Sequence, residues 1–148
     1  MTEYKSIAET EDEIVDDFEL LGEDWSEKYN HIITLGKTNP GLPENLHTEE
    51  NKVRGCQSNV WLVTHTVGER IVFEGDSDAL IVKGLVALLI KVLSGHTPDE
   101  ILDTPLTFVE RIGLQNNLSP TRNNGLAAMI KQIKFYALAY KAKLQNTA

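Results

Sequence analysis

Residues 59–67 alternate side by side: Trp61, Val63, His65 and Val67 fall on one face, and Val60, Leu62, Thr64 and Thr66 on the other. That period of two belongs to a β-strand. Gly68-Glu69-Arg70 then supplies a turn into a second strand over residues 71–74, which makes the pair a β-hairpin. The rest of the chain reads as helix or loop. Strands gathered in one place, with helices before and after them, predict an α+β fold in which a small antiparallel β-sheet packs against helices. A third strand, if present, would lie in the loop before residue 59. At 148 residues the chain has the length of one ordinary domain. A single domain over 1–148 is expected, loose over about ten N-terminal and about five C-terminal residues.

The helices announce themselves by caps and spacing. Thr10 with Glu13 has the form of a capping box, Ile14, Phe18 and Leu21 follow at helical spacing, and Gly22 is a stop. Asp24 with Glu27 repeats the cap, Trp25, Tyr29, Ile32 and Ile33 line a face, and Gly36 reads as the end. After the hairpin, Gly75-Asp76-Ser77 reads as turn and cap for a helix over 78–93, apolar nearly all round and therefore a core helix, with Gly95 as its stop. Thr97-Pro98 and Thr104-Pro105 both look like capped starts, the second for a short helix towards Ile112. A final helix over 121–144 would bury Leu126, Met129, Ile130, Ile133, Tyr136, Ala137 and Tyr140.

Charge narrows the choice of partner. Fourteen Lys and Arg against 22 Asp and Glu leave a net charge of −8, which repels phosphate backbones and anionic lipid, so neither nucleic acid nor a membrane surface is an expected partner. A protein partner is expected instead. The most apolar stretch, residues 79–93, is broken by Lys83 and Lys91 and is shorter than the ~20 residues of a spanning helix. The acidic start MTEYKSIAETEDE lacks the basic patch and apolar run of a secretory signal, and the expected location is cytoplasmic.

Chemistry converges on one residue. Residues 37–55 form a long loop rich in Pro, Gly, Asn and acids, and it ends at the only cysteine, Cys56. Cysteine acts as a nucleophile in its thiolate form, which nearby cations favour, and Lys52 and Arg54 flank this one. Gly55 gives backbone freedom, and Gln57, Ser58 and Asn59 bring polar side chains to the start of the strand. A plain packing cysteine is the alternative, since free cysteines are among the most buried residues. His31, His47, His65 and His96 show no metal-ligand spacing with Cys56, so no metal is expected. Phosphate-loop, nucleophile-elbow and zinc-protease signatures are absent, and Asp12, Glu13, Asp16 and Asp17 read as a solvated helix face.

Three blocks in this order resemble the SufE family: Gly55-Cys56-Gln57-Ser58 with Val60-Trp61; Gly75-Asp76-Ser77-Asp78-Ala79 with Ile81-Val82-Lys83-Gly84-Leu85; and Leu118-Ser119-Pro120-Thr121-Arg122 with Gly125-Leu126 and Met129-Ile130. Trp25, Glu27-Lys28-Tyr29, Ile32-Ile33 and Leu35-Gly36 extend the resemblance to about residues 18–142. It implies a fold similar to the IscU-type scaffolds, with Cys56 accepting sulfane sulfur as a persulfide from a pyridoxal-phosphate (PLP) cysteine desulfurase of the SufS type. The chain would stimulate that enzyme, without being an enzyme itself, and deliver the sulfur to a cluster-assembly scaffold. No cofactor on this chain is implied, and monomer and homodimer are both open. Gly55, Gln57, Ser58, Asp78 and Arg122 are the expected supporting or docking residues. Asp78 reads equally as a first-turn helix residue, and Arg122 as a docking group or as a partner for Asp78 or a loop carbonyl. Two alternatives stand beside this: a regulator that docks on a desulfurase without carrying sulfur, and an acceptor for a second, CsdE-like desulfurase system.

Overall fold

The computed structural model describes residues 5–146. Six helices and one two-stranded sheet follow in the order α1 (Ile7–Glu19), α2 (Trp25–Thr38), β1 (Val60–Val67), β2 (Arg70–Ser77), α3 (Leu80–Leu93), α4 (Pro98–Asp103), α5 (Phe108–Arg111) and α6 (Pro120–Asn146). The α+β expectation holds, and the loop contributes no third strand, only two 3₁₀ turns and an isolated bridge between Lys52 and Trp61.

The hairpin pairs Val60 with Ser77 and Val67 with Arg70, closed by Gly68-Glu69. Leu62, Thr64 and Thr66 face the same side as Gly75, Phe73 and Ile71, and this side meets the helices: Thr64 Oγ1 is 2.8 Å from the Tyr140 hydroxyl of α6. Helix α3 is the centre of the core, with Leu85, Val86, Leu88, Leu89, Val92 and Leu93 all buried. It packs on α1, α2, β2 and α6, while α4 packs on α6.

Several boundaries differ from those expected. Helix α1 starts at Ile7, capped by Ser6, whose hydroxyl accepts the Glu9 N–H. Thr10 is buried inside the helix, because Ile7 belongs to the core and pulls the first turn inward. Part of the expected looseness falls on residues 1–4 and 147–148, which lie outside the described residues. Gly36 does not end α2, which runs on to Thr38. A Cβ at Gly36 would stand 2.8 Å from the Gly84 backbone nitrogen, so the glycine is there to let α2 and α3 touch. Gly75-Asp76-Ser77 is strand rather than turn, since partners elsewhere in the fold satisfy Asp76 and Ser77. Helix α3 therefore begins at Leu80 with no side-chain cap, and Asp78 stands before it.

The short helix expected after Thr104-Pro105 begins instead at Phe108. Its cap comes from α1: Glu11, 2 % exposed, accepts the Thr107 N–H at 2.6 Å and the Phe108 N–H at 2.8 Å. The Phe108 N–H is buried while Thr107 is exposed, so Glu11→Ala should cost about 2 kcal/mol, chiefly by leaving the Phe108 donor unsatisfied. Urea unfolding would show this as a lower midpoint at unchanged slope.

Candidate functional site

Cys56 sits in the turn between the 3₁₀ turn Glu49–Asn51 and β1. Gly55 enters that turn at φ +96°, a conformation that L side chains rarely adopt, and a Cβ there would lie 3.2 Å from that of Ala128 on α6. The turn is thereby folded down on α6, and Cys56 Sγ lies 3.5 Å from the Gly125 carbonyl, to which its thiol donates. Both stems of the turn are pinned. The Val53 N–H donates to the Val60 carbonyl at 2.8 Å. On the other stem, the Asn59 N–H and side-chain amide donate to the two Asp78 oxygens at 3.2 and 2.8 Å, and Ser77 Oγ donates to the Asn59 carbonyl at 2.7 Å.

The sulfur opens on a cleft of about 400 Å³. Gln57 and Ser58 flank it from the turn, α3 provides Val82 and Leu85 as an apolar wall, and Ser119, Thr121 and Arg122 come from the start of α6. Of the expected site residues, Cys56, Gln57, Ser58 and Arg122 are thus brought together on the cleft, while Gly55 and Asp78 lie outside its lining. Asp78 is not in the cleft and does not meet Arg122; it is the brace of the cysteine turn. Arg122 is exposed at the rim, and its guanidinium forms no ion pair among the described residues.

The electrostatics correct another expectation. Lys52 is engaged by Glu49 at 2.9 Å, and Arg54 points to solvent, so the flanking cations do not acidify the thiol. Burial of Cys56 pushes its pKa above that of an ordinary cysteine. A thiolate buried among apolar atoms loses hydration, and a thiol donating to a carbonyl is held protonated. Alkylation of the folded chain should therefore be slow at neutral pH and rise through a midpoint above that of the same chain in urea, as rates with iodoacetamide across pH would show. A native midpoint at or below the unfolded one would contradict the burial.

No group of three His, Cys, Asp or Glu among the described residues could hold a metal ion. No described helix is long and apolar enough to cross a membrane.

Fold and site together define a small α+β domain that presents one thiol at the mouth of a cleft between a loop and two helices. Residues 12–137 match the SufE family, described as the Fe-S metabolism associated domain. An uncharacterized SufE-like protein of Rhizobium etli is 50% identical over 129 residues, 83% of this chain and 86% of that protein. One from Rhizobium meliloti is 48% identical over 129 residues, 83% of this chain and 91% of that protein. The Arabidopsis thaliana SufE-like protein 1, chloroplastic/mitochondrial, is 44% identical over 117 residues, which is 78% of this chain but 32% of that longer protein. The solution structure of a hypothetical Thermus thermophilus protein superposes with a TM-score of 0.73 at 20% identity, covering 90% of this chain and 96% of that one, and so shares the fold. The chain belongs to the SufE family, whose association is with iron–sulfur metabolism.

Proposed function

We propose that this chain, acting as one domain, accepts sulfane sulfur as a persulfide on Cys56 from a PLP-dependent cysteine desulfurase of the SufS type. Draining the persulfide stimulates the desulfurase, and the sulfur passes on to an iron–sulfur cluster scaffold. One observation carries the reading: the only cysteine of a SufE-family chain stands at the mouth of a cleft, held by a turn braced on both sides.

The exchange balances without any oxidant. The Cys56 thiolate attacks the outer sulfur of the desulfurase persulfide, the sulfur–sulfur bond of that persulfide breaks, and the desulfurase cysteine leaves as a thiolate. The proton that Cys56 gave up ends on the departing thiolate. Because burial holds the free thiol protonated, the nucleophile forms on docking. Gln57, Ser58 and Arg122 border the cleft where the partner's cysteine would enter, Gly55 sets the backbone of the turn, and Asp78 keeps the turn in place. With a second thiol nearby, the persulfide would be cleaved to hydrogen sulfide and a disulfide; a chain with one cysteine avoids that loss. The cytoplasm, where thiols are kept reduced, suits this chemistry.

Incubation with a cysteine desulfurase and cysteine, followed by intact mass without reductant, should add about 32 Da, one sulfur atom, to this chain. No gain with raised desulfurase turnover would make the chain a docking regulator. Gain with a CsdE-type partner's desulfurase, and none with SufS, would reassign the system.

A further inference from the structure

The cysteine turn is anchored by more than the residues around it. Asp76 stands opposite Trp61, on the other face of β2 from Gly75, Phe73 and Ile71, and is 7% exposed. Its Oδ2 accepts the Leu42 N–H at 3.0 Å and lies 2.9 Å from His47 Nε2. Its Oδ1 accepts the Ser77 N–H at 2.9 Å and lies 3.4 Å from Lys83 Nζ. A Cβ at Gly41 would come 2.7 Å from Oδ2, so the loop backbone lies directly on the carboxylate. The His47 ring stacks on Trp61 with centroids 4.0 Å apart and planes 8° from parallel.

These contacts hold the first half of the long connection between α2 and β1. Burial would raise the Asp76 pKa, but the Leu42, His47 and Ser77 hydrogen bonds and the Lys83 charge outweigh it and the net direction is down, so Asp76 is an anion at neutral pH. Between Gly41 and Asn51 little else holds the connection to the sheet: Leu42 is its one buried apolar side chain, and Pro43, Glu44, Asn45, Thr48, Glu49 and Glu50 are exposed. The same connection leads straight into Lys52 and Val53, the N-terminal stem of the cysteine turn, which bridges to Trp61 and Val60.

We propose that Asp76 is a positioning residue for Cys56, acting through the 41–53 segment and the His47–Trp61 stack to keep the N-terminal stem, and with it the thiol, seated against α6. Ser77 and Asp78 hold the other stem, so three consecutive residues of β2 and its end grip both sides of the turn. The proposal takes Cys56 as the working residue from the reading above, but its test uses the free chain without a desulfurase, so either can fail alone.

The test compares iodoacetamide alkylation of Cys56 in wild type, Asp76→Asn, His47→Phe and Glu11→Ala, with hydrogen exchange of residues 41–53. Asp76→Asn is expected to speed alkylation by about tenfold or more, the size of effect when a hydrogen bond to a charged anchor of a loop is lost, and to speed exchange at Leu42. Glu11→Ala lowers overall stability from α1 and α5, and is expected to leave the alkylation rate unchanged. A wild-type rate in Asp76→Asn, or an equal acceleration in Glu11→Ala, would overturn the proposal. Should Asp76→Asn not fold, His47→Phe decides: it keeps the ring on Trp61 and removes one bond to the carboxylate. A faster rate there supports the anchor, and an unchanged rate removes it.

Discussion

Cys56→Ser should take up no sulfur and should return the desulfurase to the turnover it has without an acceptor. A serine hydroxyl is ionised far less readily than a thiol, and it cannot form the sulfur–sulfur bond on which transfer depends. Serine is close to cysteine in size, and Cys56 is half-buried at the edge of a cleft rather than packed in the core, so the fold should survive the change. Intact mass and desulfurase rate, measured on a variant with a wild-type urea midpoint, separate chemistry from folding. Retained stimulation by Cys56→Ser would mean that contact alone activates the enzyme, and the sulfur-acceptor reading would fall.

The largest effect on stability is expected at Gly84. Replacing a mid-helix glycine by alanine normally gains up to about 1 kcal/mol from helix propensity. Here the added methyl would overlap the Ile32 carbonyl oxygen of α2, which is backbone and cannot rotate away. Gly36 meets the Gly84 backbone from the other side, so the two helices touch through both glycines and can accommodate a methyl only by parting. Overpacking of this kind costs about 3 kcal/mol or more, which exceeds the propensity gain and sets the sign. Gly84→Ala should therefore unfold at clearly lower urea than wild type. A midpoint at or above wild type would mean that α2 and α3 separate without penalty.

Much of the fold could be read locally. The hairpin itself, the Asp24 cap of α2, the capped start of α4 at Thr97, and the apolar face of α6 each depend on residues within a few positions of one another, although the second strand takes in Arg70 and runs to Ser77, beyond the expected 71–74. Other features could not be read in that way. Glycine, aspartate and serine in succession look like a turn in any window, and only the loop folded over β2 makes Asp76 a strand residue with buried partners. The acidic cluster has the pattern of a solvated face, and Asp12, Asp16 and Asp17 are exposed, yet neighbouring Glu11 caps a helix 96 residues away.

The site divides along the same line. That the only cysteine would sit at the end of a long loop, beside Gly55, Gln57 and Ser58, was legible from the order of residues alone, and the family blocks added Asp78 and Arg122. The tertiary structure decided what those residues do: Asp78 braces Asn59, Arg122 stands exposed at the rim of the cleft, Lys52 is taken up by Glu49, and burial, not a neighbouring cation, raises the thiol's pKa. Periodicity and capping are short-range, so a sequence by itself determines them. Desolvation and the pairing of buried polar groups depend on which distant segments meet, and only the folded chain brings Asp76 to Leu42 and His47, or Cys56 to Gly125.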